Sequence, residues 1–327
     1  MKLSVLEQIP IFPHHSTRDT LEDTVRLARS LEEAGYGRLW FAEHHNTSTF
    51  LSSAPDVLMA HLLSQTSRIH LGSGGVMAMH YGSLQMAERF STLAALFPGR
   101  VDMGLGRAPG GDMLAAHALN QNRVIDPPSI DALIAETVGL LRSTLPARHP
   151  FAGLTVTPHA DVPPEIWLLG SSGQSAAWAG EHDLNYAYAQ FFTGRQDPGV
   201  MGHYRSHLPE GAVSGQTLSA LSVSAAQTRD EAREQALPAA DLRLSLRQGR
   251  TPDLREPSEI PADRRAELFD FMDRDASVVI GTWDEVADRL SAFARNHGVG
   301  ELMLISYIAD IEQKTQQYRE LAVRLGG

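Results

Sequence analysis

A carboxylate and two imidazoles follow one short apolar segment near the start of the chain. Residues 39–42 are apolar, and Glu43, His44, His45 and Asn46 come directly after them. Imidazole titrates near neutral pH and can transfer protons, and it is also a common metal ligand. Such a cluster is typical of a metal site, of the rim of a cofactor pocket, or of a polar loop after a buried strand. The rest of the chain has to separate these three interpretations.

A second candidate for chemistry is the turn GSSGQS at residues 170–175, between a predicted strand and a predicted helix. Small residues allow close approach to the backbone, and amides at a helix N-terminus together with serine hydroxyls suit a phosphate. The candidates are Ser171, Ser172 and Ser175, with Arg107 as a charged partner. A simple helix cap is the alternative for the serines, and an ion pair with a nearby carboxylate is the alternative for Arg107.

Glycines mark two further segments. GLGRAPGG at residues 104–111 is not a dinucleotide-binding fingerprint, because Pro109 occupies the third glycine position. GSGG at residues 72–75 ends a predicted strand. Glycines there indicate either a planar ring lying against the strand or a crowded interior.

A metal site is disfavoured by the residue types at the other strand ends. LLGSS and LMLIS offer only hydroxyl groups where a metal site needs imidazoles or carboxylates. His44 and His45 are adjacent and point to opposite sides of an extended chain, so both cannot easily ligate one ion. We therefore expect no metal.

The predicted strands and helices that must position these residues alternate along the chain. Eight apolar segments are predicted as strands, and their near-continuous apolarity is typical of parallel strands covered on both faces. This pattern predicts a (β/α)₈ barrel, with a doubly wound open sheet as the alternative. The segments begin at Leu3, Arg38, Ile69, Val101, Ile166, Leu184, Thr217 and Glu301.

Two segments interrupt the repeat, at about residues 110–128 and at about 228–276. In a barrel both follow strands and so belong at the C-terminal face, where active sites lie. We interpret the second as a helical lid within a single domain of residues 1–327, with a disordered linker as the alternative. Its apolar stretches LRLSL and ELFDFM favour the lid.

Composition limits the partners and the compartment. The 327 residues carry a net charge of −11 and contain no cysteine. An acidic chain disfavours nucleic acid and anionic membranes as partners, and the lack of cysteine excludes disulfides and thiolate chemistry. The first residues do not form a signal peptide, and no apolar stretch is long enough to span a bilayer, so we expect a cytoplasmic protein.

Nearly the whole chain resembles the bacterial luciferase-like monooxygenase superfamily, within it the luciferase-like class of oxidoreductases. The motifs that carry the resemblance are GYGRLWFAEHH, LGSGGVM, PGRVDMGLGRAPGGD, IWLLGSSGQSA, and GTWDEVADRL followed by GVGELML. The resemblance implies a (β/α)₈ barrel, bound FMN and a homodimer. It also implies a cis peptide bond between Gly74 and Gly75, behind the flavin ring.

The resemblance also implies a reaction. Reduced FMN from a separate NAD(P)H-dependent flavin reductase would react with oxygen to give a 4a-hydroperoxyflavin, which oxygenates a small organic substrate. His44 would be the catalytic acid or base, because its ordinary pKa lies near the working pH. For Glu43 a structural role is the alternative to cofactor contact. The implied cofactor-binding residues are Glu43, Gly74, Gly75, Arg107, Ser171, Ser172 and Ser175.

The chain departs from the family pattern in two places. Ala78, Met79, His80 and Ser83 replace a tip that usually contains proline and asparagine, and residues 117–123 read HALNQNR where close relatives tend to carry arginines. Both lie near the expected flavin and substrate mouth. Two alternatives therefore stay open: hydride transfer with a deazaflavin on the same fold, and a non-catalytic flavin-binding protein.

Overall fold

The eight predicted strands form a closed parallel barrel. The computed structural model describes residues 1–108, 111–120, 126–193, 196–250, 253–275 and 278–326. The last barrel strand pairs with the first strand and also with the strand that begins at Thr217, so the sheet has no open edge within the barrel. The predicted (β/α)₈ barrel is confirmed, and the doubly wound open sheet is excluded.

Ten strands lie in these described ranges. They are β1 Lys2–Glu7, β2 Arg38–Phe41, β3 His70–Ser73, β4 Val76–Met77, β5 Val101–Gly106, β6 Glu165–Gly170, β7 Asn185–Tyr188, β8 Thr217–Ala226, β9 Val278–Thr282 and β10 Glu301–Ile305.

The structure differs from the predicted strands in two places. The third predicted strand is divided into β3 and β4, because the chain turns at a cis peptide bond between Gly74 and Gly75. β9 was not predicted. It is short, it pairs with residues 222–226 of β8 alone among the described residues, and it runs directly into the capping box of the next helix.

Helices lie between the strands. They are α1 Thr17–Glu33, α2 Pro55–Leu63, α3 Ser83–Leu96, α4 Met113–Asn120, α5 Pro127–Arg142, α6 Gly173–Glu181, α7 Gln190–Thr193, α8 Val200–Ser206, α9 Arg229–Arg247, α10 Ala262–Met272, α11 Trp283–His297 and α12 Ile311–Leu325. No helix within the described ranges is both long and apolar enough to cross a bilayer.

Local sequence signals place several helix ends. Pro55 is the first residue of α2, and Thr282 with Glu285 forms the capping box of α11. Gly35, just after α1, and Gly298, which caps α11, both have a positive φ, which glycine adopts without steric cost.

An ion-pair network closes the N-terminal end of the barrel around Arg38, the first residue of β2. Its guanidinium donates hydrogen bonds to Asp102 at 2.8 Å, Glu165 at 2.9 Å and Glu301 at 3.1 Å. Burial alone would lower the pKa of Arg38, but the three carboxylates outweigh burial and raise it. The guanidinium is therefore fixed as a cation between strands that are distant in sequence.

One group of side chains in the described residues has metal-ligand spacing, and it belongs to this network. Candidate ligand atoms of His70, Asp102 and Glu165 lie within 4.8 Å of one another. Arg38 Nη1 donates to both carboxylates of that group. Because a guanidinium already supplies the positive charge there, we interpret the group as part of the ion-pair network rather than as a metal site.

The insertion between β8 and β9 is largely helical. α9 and α10 pack against each other through a small apolar core of their own. Its buried members are Ala236, Leu237, Ala240, Ile260, Leu268, Phe271 and Met272. Residues 251, 252 and 276 of the predicted lid, and residues 110 and 121–125 of the first interruption, lie outside the described residues.

Candidate functional site

His44 lies in the loop that follows β2, at the C-terminal face of the barrel. Its backbone amide donates to the Ser52 carbonyl at 2.8 Å, and its ring lies 4.6 Å from the Phe50 ring, centroid to centroid. Nδ1 is buried and has no hydrogen-bond partner among the described residues. A buried nitrogen without a partner carries a cost in free energy.

The environment of His44 changes the chemistry expected from the sequence. Burial, with a smaller contribution from the neighbouring His45, lowers the pKa of His44 to about 4. The expectation that its pKa lies near the working pH is therefore wrong. The ring is neutral at physiological pH, so one nitrogen can donate a hydrogen bond while the other accepts one.

Glu43 is fully buried, and its carboxylate is bound by the protein. It accepts hydrogen bonds from the Met77 amide at 2.8 Å, the Tyr81 hydroxyl at 2.9 Å and His45 Nε2 at 2.7 Å. These contacts fix the segment after the cis peptide bond against the loop after β2. The structure thus favours the structural alternative for Glu43 over cofactor contact.

The glycines at 74 and 75 are accounted for by crowding. A Cβ on Gly74 would lie 2.5 Å from Leu6 Cδ1, and a Cβ on Gly75 would lie 2.8 Å from the Gly104 carbonyl oxygen. Side chains therefore have no room at either position. The crowded interior explains these glycines on its own, and contact between this segment and a planar ring stays a prediction.

The three predicted serines occupy the N-terminus of α6. Ser172 is the N-cap and accepts from the Ser175 amide at 3.3 Å, while Ser175 Oγ donates to the Ser172 carbonyl at 2.7 Å. Ser171 is exposed, and Ser175 is buried against the Tyr186 hydroxyl at 2.9 Å. Two of the three serines therefore build the helix cap, which leaves Ser171 and the first-turn amides to meet a ligand.

Arg107, after β5, lies near this helix end. Its guanidinium pairs with Asp131 at 3.2 Å, with both side chains about one quarter exposed. Burial raises the pKa of the Tyr186 phenol, while the hydrogen bond with Ser175 and the charge of Arg107 oppose that rise. The ion pair with a nearby carboxylate, which was the alternative prediction for Arg107, is therefore present, and the charge of Arg107 also acts on the Tyr186 phenol.

Sequence reasoning missed His203 and Phe50. The His203 ring lies 3.5 Å from the position that a Cβ on Gly173 would take, beside the first turn of α6. Phe50 covers the ring of His44. No local pattern marks either residue, because His203 comes from another helix and Phe50 reaches His44 only through the fold of the loop after β2.

These residues gather at one end of a parallel barrel, and the sequence matches the family model of luciferase-like monooxygenases over residues 1–300. The chain belongs to the luciferase-like monooxygenase family. Its similarity to the N-acetyl-S-alkylcysteine monooxygenase of Bacillus subtilis (strain 168) is 34% identity over 98% of this chain and 97% of that protein. The apo-MsnO8 crystal structure is 32% identical, with a TM-score of 0.84 over 99% of this chain and 98% of that one.

Two solved structures share the fold at lower identity. The oxygenating constituent of 3,6-diketocamphane monooxygenase from Pseudomonas putida, in complex with FMN, is 15% identical with a TM-score of 0.72. An F420-dependent secondary alcohol dehydrogenase with an F420-acetone adduct is 16% identical with a TM-score of 0.70. Each covers 99% of this chain and 98% of its own. Family membership makes the chain an oxidoreductase.

The residues that depart from the family pattern make contacts within this luciferase-like barrel. Ala78 and His80 are buried in a 3₁₀ turn, and His80 Nδ1 lies 3.3 Å from Asn120 Oδ1. Ser83 donates to Glu136 of α5. The changed tip is therefore a packed segment. Of the second departure, residues 121–123 lie outside the described residues.

The insertion packs on one side of the C-terminal face of the barrel. It contacts segments that follow β1, β2, β7 and β10, which together with β8 form one continuous arc of the mouth. These contacts join Glu259 with His14 (3.5 Å), Glu256 with His15 (3.9 Å), Asp253 with Ser48, Arg243 with the Phe191 carbonyl (2.7 Å), and Leu242 and Leu254 with Phe12, Phe50 and Tyr307.

Proposed function

We propose that this chain is an FMN-dependent monooxygenase that takes reduced FMN from a separate NAD(P)H-dependent reductase and oxygenates a small organic substrate. The observation that carries the proposal is the buried, unpartnered Nδ1 of His44 at the barrel mouth. Buried polar atoms usually have a hydrogen-bond partner, and a bound group would supply the one that this atom lacks in the protein. The homodimer that the family resemblance implies also stays a prediction.

The residues of the chain fit a flavin phosphate. Arg107 provides a guanidinium on a side chain that is about one quarter exposed, and the first turn of α6 provides amides that have no acceptor within the helix. Bound reduced FMN would supply the activation of oxygen. The chain would supply orientation through these groups, and His44 would hold or move a proton at Nδ1.

Exclusion of water is the proposed role of the insertion. When water enters a reactive site of this kind, side reactions compete with formation of the product. Closing segments usually prevent this. α9 and the segment around Leu254 pack on Phe12 and Phe50 beside His44. This arrangement supports a lid over the proposed substrate side of the site.

The proposal is tested by stopped-flow absorbance. The protein is mixed with photoreduced FMN and then with oxygenated buffer. We expect a transient absorbance distinct from both reduced and oxidised flavin, followed by product when a substrate is present. Reoxidation without a transient and without binding of reduced FMN would contradict the proposal. The deazaflavin alternative would then be tested by F420 binding.

The first substrates to test are suggested by the N-acetyl-S-alkylcysteine monooxygenase of Bacillus subtilis, which is 34% identical to this chain. S-Alkylated N-acetylcysteines can be compared at equal concentration with simple alkyl thioethers that lack the carboxylate. Incorporation of ¹⁸O from labelled oxygen into the product would identify oxygenation directly.

Arg107→Ala is expected to weaken FMN binding by about tenfold to a hundredfold, because a charged hydrogen bond contributes about 1.5–3 kcal/mol. Riboflavin binding should change little, since riboflavin has no phosphate. Asp131→Asn is the matched variant, and it should leave FMN binding unchanged or tighter because it frees the guanidinium from its ion pair. Fluorescence titration with both flavins measures these constants. Equal weakening for FMN and riboflavin would place Arg107 away from the phosphate.

A further inference from the structure

A closed loop after β2 brings Phe50 back to His44. The His44 amide donates to the Ser52 carbonyl at 2.8 Å, which joins the two ends of the loop. Near the tip, the Leu51 amide donates to the Ile9 carbonyl at 2.9 Å, and the Ile11 amide donates to the Thr49 carbonyl at 2.9 Å. The residues around Phe50 are thus paired in an antiparallel manner with the segment that follows β1.

This pairing fixes the Phe50 ring between two other rings. Its centroid lies 4.6 Å from the His44 ring, with an angle of 32° between the planes, and 6.1 Å from the Tyr307 ring. Leu242 and Leu254 of the insertion pack in the same apolar cluster. Phe50 therefore cannot turn away from His44 without opening the contact between the barrel and the insertion.

We infer that Phe50 is a positioning residue for His44. It covers one face of the imidazole, holds the ring in one orientation, and keeps that face away from water. The loop hydrogen bonds supply the rigidity, and the aromatic contact supplies the orientation of the ring. The orientation itself does not depend on the identity of the flavin, whereas its consequence for oxygenation rests on the proposed function.

The same contact explains why the ring stays neutral. Burial is the main cause of the low pKa of His44, and Phe50 is a residue that buries it. Cations are poorly solvated in apolar surroundings, so removing the cover should raise the pKa.

Other charged groups in this region are already paired. Glu43 is bound to His45 and Tyr81, and Arg243 of the insertion pairs with Asp275 at 3.1 Å. Burial raises the pKa of Tyr307, so its phenol stays neutral over the range in which His44 titrates. A change at residue 50 therefore acts on His44 without a new charge nearby.

The test is an NMR titration of the flavin-free protein with ¹³C-labelled histidine, in which the His44 signal is assigned by its loss in His44→Gln. We expect wild type to titrate near pH 4 and Phe50→Ala to shift the midpoint upward by one to two pH units, toward the ordinary value. Phe50→Leu, which keeps part of the apolar cover, should shift it less. Phe192→Ala is the matched control, because Phe192 is 72% exposed and should leave the midpoint unchanged.

An unchanged His44 midpoint in folded Phe50→Ala and Phe50→Leu proteins would overturn the inference. The second measurement is the stopped-flow transient, which we expect to decay severalfold faster in Phe50→Leu than in wild type. A shifted midpoint in a protein that shows no transient in any variant would support the positioning of His44 and contradict the proposed oxygenation. The two failures are therefore distinguishable.

Discussion

His44→Ala is expected to lower oxygenation turnover by about 10²–10⁴-fold, the usual contribution of one acid or base group. The reason is that a bound group would supply the hydrogen-bond partner that the buried Nδ1 lacks among the described residues. Flavin binding should change far less, because the proposed phosphate contacts lie at Arg107 and α6. Product formation and FMN titration, measured on the same preparation, separate the two effects.

The control for this prediction is His61→Ala. His61 lies exposed on α2 and has no side-chain hydrogen bond in the proposed site. It should retain wild-type turnover. His44→Gln should recover little activity, since an amide can hydrogen bond but cannot carry a proton as imidazole does. Near-normal turnover of His44→Ala with a good substrate would show that the proton is handled elsewhere.

Arg38→Met is expected to lower the free energy of unfolding by about 3–5 kcal/mol, because it leaves buried carboxylates without their cation. Asp102 is fully buried and Glu301 is 4% exposed, so water cannot replace the guanidinium. Burial alone would raise the pKa of Asp102, but His70 and Arg38 outweigh burial and lower it. The variant therefore removes a partner on which an ionised carboxylate depends.

Urea denaturation of Arg38→Met and of two comparison variants measures this loss of stability. Arg18→Met is the control, since Arg18 pairs with Glu22 on an exposed helix face and water screens such pairs, so the free energy of unfolding should change little. Arg38→Lys keeps the charge but loses the forked geometry, so we expect an intermediate loss. A loss below about 1 kcal/mol for Arg38→Met would mean that the network does not depend on this cation.

Much of the fold could be predicted because its signals are local. Apolar segments of strand length alternate with amphipathic helices, and caps such as Pro55, Thr282 and Gly298 mark helix boundaries without reference to the rest of the chain. Strand β9 was missed because it has no such local signal. It is short, and only its pairing with the end of β8 makes it a strand.

The candidate site was predicted in part. The motif order places His44, Arg107 and the serines at strand ends, and strand ends of a parallel barrel meet at one face. What each side chain does there depends on neighbours from other loops. Glu43 is bound by Met77 and Tyr81, and Ser175 is bound by Tyr186, so residue type alone could not separate ligand contact from structural support.

The sequence by itself determined the class of the fold, the family and the position of His44 in the chain. Only the tertiary structure decided that burial lowers the pKa of His44 and that its ring packs against Phe50, and that Arg38 holds carboxylates as far away in sequence as Glu301. The physical reason is that burial and ion pairing depend on distances in space. In a closed parallel barrel, those distances are set by strands that lie far apart along the chain.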